Sequence, residues 1–165
     1  MTQQLSLLKT MTSSFPWHPS RIKCFAFMVV GLILSRSVQQ HMMAAAFSNQ
    51  AQRDSIVRRI QRFLKEQIFD FQAIARSILT CFLLPHKMDL IIDRTNWQFG
   101  CTKINFLVLS VTISGQGIPL FWKALPKKGA SSAQEQCDLL QVFIDTFGAN
   151  RISSLMGDRE FIGEK

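Results

Sequence analysis

The chain has 165 residues, of which 47% are hydrophobic, and its 19 Lys/Arg against 11 Asp/Glu give a net charge of +8. This apolar fraction is sufficient for a hydrophobic core and excludes wholesale disorder, and the length suits one domain, or a small domain plus part of another. Residues 1–88 hold eleven Lys/Arg against three Asp/Glu, whereas residues 89–165 hold eight of each. A basic half before a neutral half is typical of a polyanion-binding arm on a catalytic core, with a basic soluble surface as the alternative.

Several classes of site have no pattern in the sequence. The four Cys are widely spaced without C-x-x-C pairs, so we expect buried, reduced thiols of a cytosolic protein rather than zinc ligands. The three His have no evident Ser or Cys partner for nucleophilic catalysis, and no glycine-rich phosphate loop is present. Residues 24–34 form an apolar run that is too short to cross a bilayer. We expect a buried helix there and no membrane partner, with a short membrane-associating segment as the alternative.

We divide the chain into a flexible arm (1–20), a helical DNA-binding region (21–86) and a second domain (87–165). The arm is rich in Ser, Thr and Gln and contains two Pro. Within the helical region, helices are predicted over 35–47, 52–66 and 71–84. The polar segment 48–50 separates the first two, and Pro85 ends the third.

The predicted helix 52–66 has two distinct faces. Its apolar face consists of Ile56, Ile60, Phe63 and Leu64. Its basic face carries Arg58, Arg62 and Lys65. Such a helix can follow DNA phosphates while it packs on neighbouring helices, although a solvated charged face is an equal alternative.

From residue 89 onward, short β-type runs replace helical periodicity. Strands are predicted over 90–92, 105–113, 118–125 and 151–156, with a helix over 133–147 before the last strand. The order is therefore β-β-β-α-β. A right-handed crossover would lay the fourth strand parallel to an earlier one, plausibly the first.

Two acids lie at the ends of predicted strands in this half. Asp93 closes M-D-L-I-I-D, and Asp158 follows R-I-S-S-L-M-G. If the fourth strand pairs with the first, the two carboxylates come together and can hold divalent metal for phosphoryl transfer. An Asp after a strand is also often a turn residue or a helix cap. Asp89, Glu160 and Glu164 are competing acids, the last two interpreted as helix-start residues.

The chain from Asp93 to Lys165 resembles bacterial insertion-sequence transposases of the DDE class, of the insertion-sequence-four type. The motifs are I-I-D-R-T-N-W-Q-F-G (91–100), I-N-F-L-V-L-S-V (104–111), G-I-P-L-F-W-K-A-L-P-K-K-G (117–129) and G-D-R-E-F-I-G (157–163). Upstream, S-R-S-V (35–38) and R-R-I-Q-R-F-L-K (58–65) resemble the helical N-terminal region of that family. The resemblance covers about residues 21–165.

The resemblance implies an α+β protein with a ribonuclease-H-like core, in which Asp93 and Asp158 are the first two catalytic acids and bind Mg²⁺ or Mn²⁺. It implies DNA partners, namely element terminal repeats and target DNA, dimeric action, and a bacterial, nucleoid-associated location. DNA binding is assigned to seven basic residues: Arg58, Arg59, Arg62, Lys65, Lys127, Lys128 and Arg159. For Lys127 and Lys128 an exposed loop is the equal alternative.

The sequence departs from the family at its third acid. That residue is a Glu in a Tyr-x2-Arg-x3-Glu-x6-Lys signature, and the chain contains no Tyr. We therefore expect an N-terminal fragment with an incomplete core that does not transpose DNA alone. The alternative is a non-catalytic fragment that binds DNA or forms hetero-oligomers with a full-length transposase and inhibits it.

Overall fold

A computed structural model describes residues 10–46, 52–82, 85–127 and 129–158 of the chain. The chain divides into two compact units, Met1–Ala73 and Ile74–Lys165. This division falls earlier than residue 86, where the sequence suggested a domain boundary. The reason is that Ala75 and Leu79, from the helix that crosses the division, are buried in the core of the second unit.

The described part of the first unit is built of helices. After a short helical segment at 10–14 come α1 (Pro19–Ser35), α2 (Gln40–Met43) with a 3-10 turn at Ala44–Ala46, and α3 (Arg53–Glu66). Pro19 opens α1, where its missing N–H costs nothing, and the His18 ring accepts a hydrogen bond from Ser20 N. The helix predicted over 35–47 is thus much shorter, and the interruption at 48–50 lies outside the described residues.

The core of the first unit is formed by the apolar face of α3 and an aromatic cluster. Ile56, Ile60 and Phe63 are buried as predicted, but Leu64 is exposed because its position on the helix lies about 80° from that of Ile56. Phe63 stacks on Phe25 at 5.8 Å between ring centroids. Trp17 joins these rings together with Phe15 and Phe69. Phe15 and Met11, within the predicted flexible arm, are buried.

The apolar run 24–34 forms most of α1 but is buried only in part. Cys24, Ala26, Met28 and Gly31 are buried, whereas Ile33 and Leu34 are exposed at the C-terminal end of the helix. Among the residues that the structure describes, none of the helices has the length and hydropathy needed to span a bilayer.

Three strands, a helix and a fourth strand follow the division between the units. After α4 (Phe71–Cys81) the elements are β1 (Met88–Phe99), β2 (Thr102–Ile113), β3 (Gln116–Leu125), α5 (Ala133–Phe147), a 3-10 turn (Ala149–Arg151) and β4 (Ile152–Gly157). The sheet has the strand order β3-β2-β1-β4. β2 is antiparallel to both β1 and β3, and β4 is parallel to β1. The predicted β-β-β-α-β order, the parallel pairing and the α+β class are confirmed.

Each side chain of the sheet faces either the core or the opposite surface. Leu90 and Ile92 of β1 are buried with Leu107, Leu109 and Val111 of β2. These core positions pack with Leu139 and Phe143 of α5. α5 spans the predicted residues 133–147 and begins with a capping box, in which Ser132 Oγ accepts from Glu135 N and Glu135 Oε2 accepts from Ser132 N.

The cysteines are free thiols, but the prediction that they are buried holds only for Cys24. Cys81, Cys101 and Cys137 are exposed, because they lie at the end of α4, in the β1–β2 turn and on the outer side of α5. Burial raises the pKa of the Cys24 thiol, which the nearby Arg59 opposes in part.

Gly31 marks the closest approach of α1 to the segment after it. A Cβ at this position would lie 2.5 Å from the backbone oxygen of Met43. Because the obstacle is a backbone atom, a side-chain rotation cannot relieve the overlap. The first unit therefore requires glycine here to keep α1 against α2.

We predict that Gly31→Ala destabilises the first unit, although alanine favours helix by about 1 kcal/mol. The overlap with Met43 costs about 1–3 kcal/mol, which equals or exceeds the gain in helix propensity. The net effect is a fall of up to about 2 kcal/mol in the free energy of unfolding. Urea titration followed by circular dichroism at the helix band measures the change. Ile33→Ala, on the exposed end of the same helix, should stay within about 0.5 kcal/mol of the parent. A more stable Gly31→Ala protein would contradict the close approach.

Candidate functional site

Asp93 lies in the middle of β1 rather than at the end of a strand. The sequence suggested a short strand ending at Ile92, but the hairpin with β2 continues the backbone pairing to Phe99. Asp93 is paired with Val108 and is exposed, on the face opposite the buried Leu90 and Ile92. Its Oδ1 accepts a hydrogen bond from Arg94 N at 2.7 Å.

Asp158 follows the last residue of β4. The parallel register pairs Ile91 with Met156 and Ile92 with Gly157. Asp93 and Asp158 are the next residues after this last pair. Neighbouring strands are about 4.8 Å apart, and side chains in register on parallel strands leave the sheet on the same face. The two exposed carboxylates thus directly follow the last register pair of the two strands, although 65 positions separate them in sequence.

The pair has the chemistry of a site for a hard cation. Two carboxylates that lie close together repel each other, and a divalent cation favours the ionised form of both. Mg²⁺ and Mn²⁺ prefer oxygen ligands, and Mg²⁺ keeps several waters, so two exposed carboxylates leave room for a phosphate oxygen. Within the described ranges, no group of three or more His, Cys, Asp or Glu could hold a metal ion.

The competing acids do not join the pair. Asp89 lies on the same face of β1, but its Oδ1 accepts from Ser154 Oγ of β4 at 2.7 Å, and this pair lies two register pairs before Ile91 and Met156. Glu160 and Glu164 lie outside the described residues.

An apolar groove lies next to Asp93 on the open face of the sheet. Its volume is about 280 Å³, and its lining consists of Thr95, Phe106, Val108, Pro119 and Trp122. The register Asp93–Val108–Trp122 puts Trp122 two strands away from the acid. Trp122 is 43% exposed and lies outside the hydrophobic core of the unit.

Most of the basic residues predicted to bind DNA lie on one helix. Arg58, Arg59, Arg62 and Lys65 are all exposed on α3. Lys128 and Arg159 lie outside the described residues. Lys127 Nζ lies 2.7 Å from Glu135 Oε2, so its charge is already paired at the start of α5.

Two further cations were missed by the sequence analysis. Arg21 and Lys23, in the first turns of α1, line a cleft of about 440 Å³ together with Arg59 and Arg62 of α3. The sequence offered only a weak signal for them, because the two pairs lie more than thirty positions apart. Their proximity follows from the packing of α1 on α3.

Comparisons with known proteins return no relative for this arrangement. No family model matches the chain, and neither a curated protein nor a solved structure matches it.

Glu135 links Lys127 to the start of α5, and this contact makes a pH-dependent contribution to stability. The hydrogen bond from Lys127 and then the backbone hydrogen bond from Ser132 lower the pKa of Glu135 below its ordinary value of 4.5. A carboxyl group with a depressed pKa in the folded state stabilises the fold above its unfolded pKa. The contribution is lost as the pH falls through the lowered folded value.

We predict that Glu135→Gln lowers the melting temperature at neutral pH, and that this deficit shrinks as the pH falls below about 4.5. The reason is that the parent loses the Glu135 contribution in that range while the variant has none to lose. Thermal melts of both proteins from neutral to acidic pH measure the difference. Asp145→Asn removes a carboxylate from the last turn of the same helix, where it accepts from Gln141 Nε2, and controls for helix charge. A difference in melting temperature that grows on acidification would contradict a stabilising contact between Glu135 and Lys127.

Proposed function

We propose that the chain carries the ribonuclease-H-like core of a DDE-class transposase of the insertion-sequence-four type, whose chemistry is metal-dependent strand cleavage and strand transfer in DNA. The observation that carries the proposal is the parallel register of β1 and β4, whose last pair, Ile92 and Gly157, directly precedes Asp93 and Asp158. The strand order β3-β2-β1-β4, with antiparallel hairpins and one parallel crossover, supports it. The choice of this family rests on the sequence motifs at residues 91–100 and 157–163, which resemble those of its members.

Asp93 and Asp158 are the residues that would hold Mg²⁺ or Mn²⁺. In phosphoryl transfer, two such ions about 3.5–4 Å apart activate the attacking oxygen and stabilise the leaving one. The two carboxylates would hold the ions in place, and the positive charge so positioned would orient the substrate phosphate. Their location on the open face, away from α5, leaves access for a DNA strand.

DNA is the proposed partner, as terminal repeats of the element and as target. Residues 1–73 hold nine Lys/Arg against three Asp/Glu, so the first unit carries a net charge of +6. A surface of this sign attracts phosphates over a distance set by the ionic strength. Dimeric action and a bacterial nucleoid location belong to the same proposal.

We predict that Mn²⁺ binds to the full chain and that Asp93→Asn or Asp158→Asn weakens its binding at least about tenfold, because each variant removes one of two ligands. Electron paramagnetic resonance of free Mn²⁺ gives the bound fraction directly. Asp145→Asn, on α5, is the matched control and should bind as the parent does.

The double variant separates a shared site from two independent ones. If both carboxylates hold one metal centre, each single variant should weaken the binding of all the Mn²⁺, and the Asp93→Asn/Asp158→Asn protein should lose it. Single variants that each keep about half of the sites at the affinity of the parent, or unchanged binding in both single variants, would overturn the metal assignment.

A second candidate function is DNA binding without catalysis, in which the chain hetero-oligomerises with a complete transposase and inhibits it. Two observations favour it. The charge excess lies in the first unit, and no third metal-ligating acid joins Asp93 and Asp158 among the described residues. A two-carboxylate site lacks the third acid that the resemblance implies.

DNA cleavage distinguishes the two candidates. We predict that the chain retards element-end DNA in a salt-dependent manner and gives no cleavage with Mg²⁺ or Mn²⁺, because two carboxylates supply an incomplete site. Gel shift and denaturing electrophoresis of the same reactions measure both properties. Cleavage that Asp158→Asn abolishes would establish the enzyme and reject the non-catalytic candidate.

A further inference from the structure

The first unit contains a cleft between α1 and α3 whose walls are unusually basic. Its volume is about 440 Å³, and α1 and α3 contribute two cations each: Arg21, Lys23, Arg59 and Arg62. The buried Cys24 and Phe63 form part of its lining and bring no charge. Glu66 is the single carboxylate in the lining.

The positive charge of this cleft is only partly balanced. Arg21 Nη2 donates to Glu66 Oε2 at 3.4 Å, and Arg21 Nη1 donates to Gln67 Oε1 at 3.2 Å. Lys23, Arg59 and Arg62 have no carboxylate within ion-pair distance in the part of the chain that the structure describes. Three unpaired cations around one cavity repel each other, and an anion in the cavity removes that cost.

The fixed orientation of Arg21 suits a phosphate. Gln67, directly after α3, accepts from Arg21 Nη1 and orients the guanidinium without opposing its charge, so less side-chain entropy is lost when a further acceptor binds. Arginine donors form directed pairs with phosphate oxygens, and Lys23 adds a point charge.

The surroundings of the cleft favour a nucleic-acid strand over a lipid surface. Arg58 and Lys65 continue the positive surface along the exposed side of α3. The exposed large apolar residues of α1, which are Leu32, Ile33 and Leu34, lie eleven or more residues from Arg21, or roughly 16 Å along a helix. On α3, Leu64 is the exposed large apolar residue among the cations. A membrane-binding helix carries its apolar and basic residues along the same stretch.

We propose that the cleft between α1 and α3 binds a phosphate of the DNA backbone, held by Arg21, Lys23, Arg59 and Arg62. The inference rests on the proposed DNA partner but not on the proposed catalytic activity. It assigns the strongest phosphate contact to the flank of α3 that faces α1, rather than to the outward-facing Arg58 and Lys65.

The test compares two double variants that remove the same charge. Lys23→Gln/Arg62→Gln empties the cleft of two cations, and Arg36→Gln/Arg53→Gln removes two exposed cations of the same unit outside it. We expect the cleft variant to bind a fluorescein-labelled duplex at least about tenfold more weakly and to lower the salt slope by about two. The control should lose about threefold or less. Fluorescence anisotropy over a salt series, without metal, measures both quantities.

A gain of affinity provides a result that misfolding cannot imitate. Glu66→Gln removes the carboxylate that competes with a phosphate for Arg21, so DNA affinity should rise. Asp54→Asn makes the same charge change at the start of α3, outside the cleft, and should raise affinity less. Equal gains from the two variants, or equal losses from the two double variants, would show a diffuse charge effect and overturn the inference.

Two further experiments distinguish a DNA phosphate from the phosphate of a lipid headgroup. Inorganic pyrophosphate should compete with the duplex for the parent protein and not for the cleft variant. Vesicles of phosphatidylserine and phosphatidylcholine should be bound equally by the cleft and control variants. Selective loss of vesicle binding with unchanged DNA binding would replace DNA by a lipid headgroup. A parent protein that binds neither duplex nor pyrophosphate would reject the cleft, whereas cleft-dependent DNA binding without Mn²⁺ binding at Asp93 would reject only the catalytic proposal.

Discussion

The parallel pairing of β4 with β1 is the contact on which the candidate catalytic site depends. The hairpins β1–β2 and β2–β3 close through short turns, but Asp89 and Ser154 meet across 65 residues. Closing a loop of that length costs conformational entropy, which the burial of Leu139 and Phe143 of α5 in the sheet core offsets. Arg151, whose guanidinium donates to the backbone oxygen of Pro85 at 3.3 Å, adds a second tie at the start of β4.

In the first unit, one helix serves both the core and the charged surface. Ile60 of α3 is fully buried, and Phe63 stacks in the aromatic cluster with Trp17 and Phe25. The same packing presses the flank that carries Arg59 and Arg62 toward α1. Hydrophobic burial therefore provides the free energy that holds like charges close together, a cost that an isolated amphipathic helix would avoid by moving them apart.

The sequence allowed the order of elements in the second unit to be predicted, because the β-type runs and the helical pattern of residues 133–147 are local signals. It did not give the length of β1. The polar stretch R-T-N-W-Q after Asp93 lacks a strand pattern of its own and becomes a strand through pairing with β2. Because of this pairing, Asp93 lies in the middle of β1, whereas the sequence predicted it at the end of a strand.

The site residues show the same division between local and long-range information. The parallel pairing of the strands that lead to Asp93 and Asp158 could be predicted from the sequence, because the crossover rule links those strands. Arg21 and Lys23 could not, since nothing in the first turns of α1 indicates that α3 packs beside them. The position of Trp122, two strands from Asp93 in the sheet, likewise follows from the register of β3 and not from its neighbours in sequence.

The mid-strand position of Asp93 has a consequence for how the two acids are held. Backbone pairing with β2 extends over several residues on both sides of Asp93, so its Cα is a fixed reference point. Asp158 comes directly after the last residue of β4 that pairs with β1. The two acids are therefore held differently: backbone pairing on both sides fixes Asp93, whereas the pairing with β1 ends one residue before Asp158.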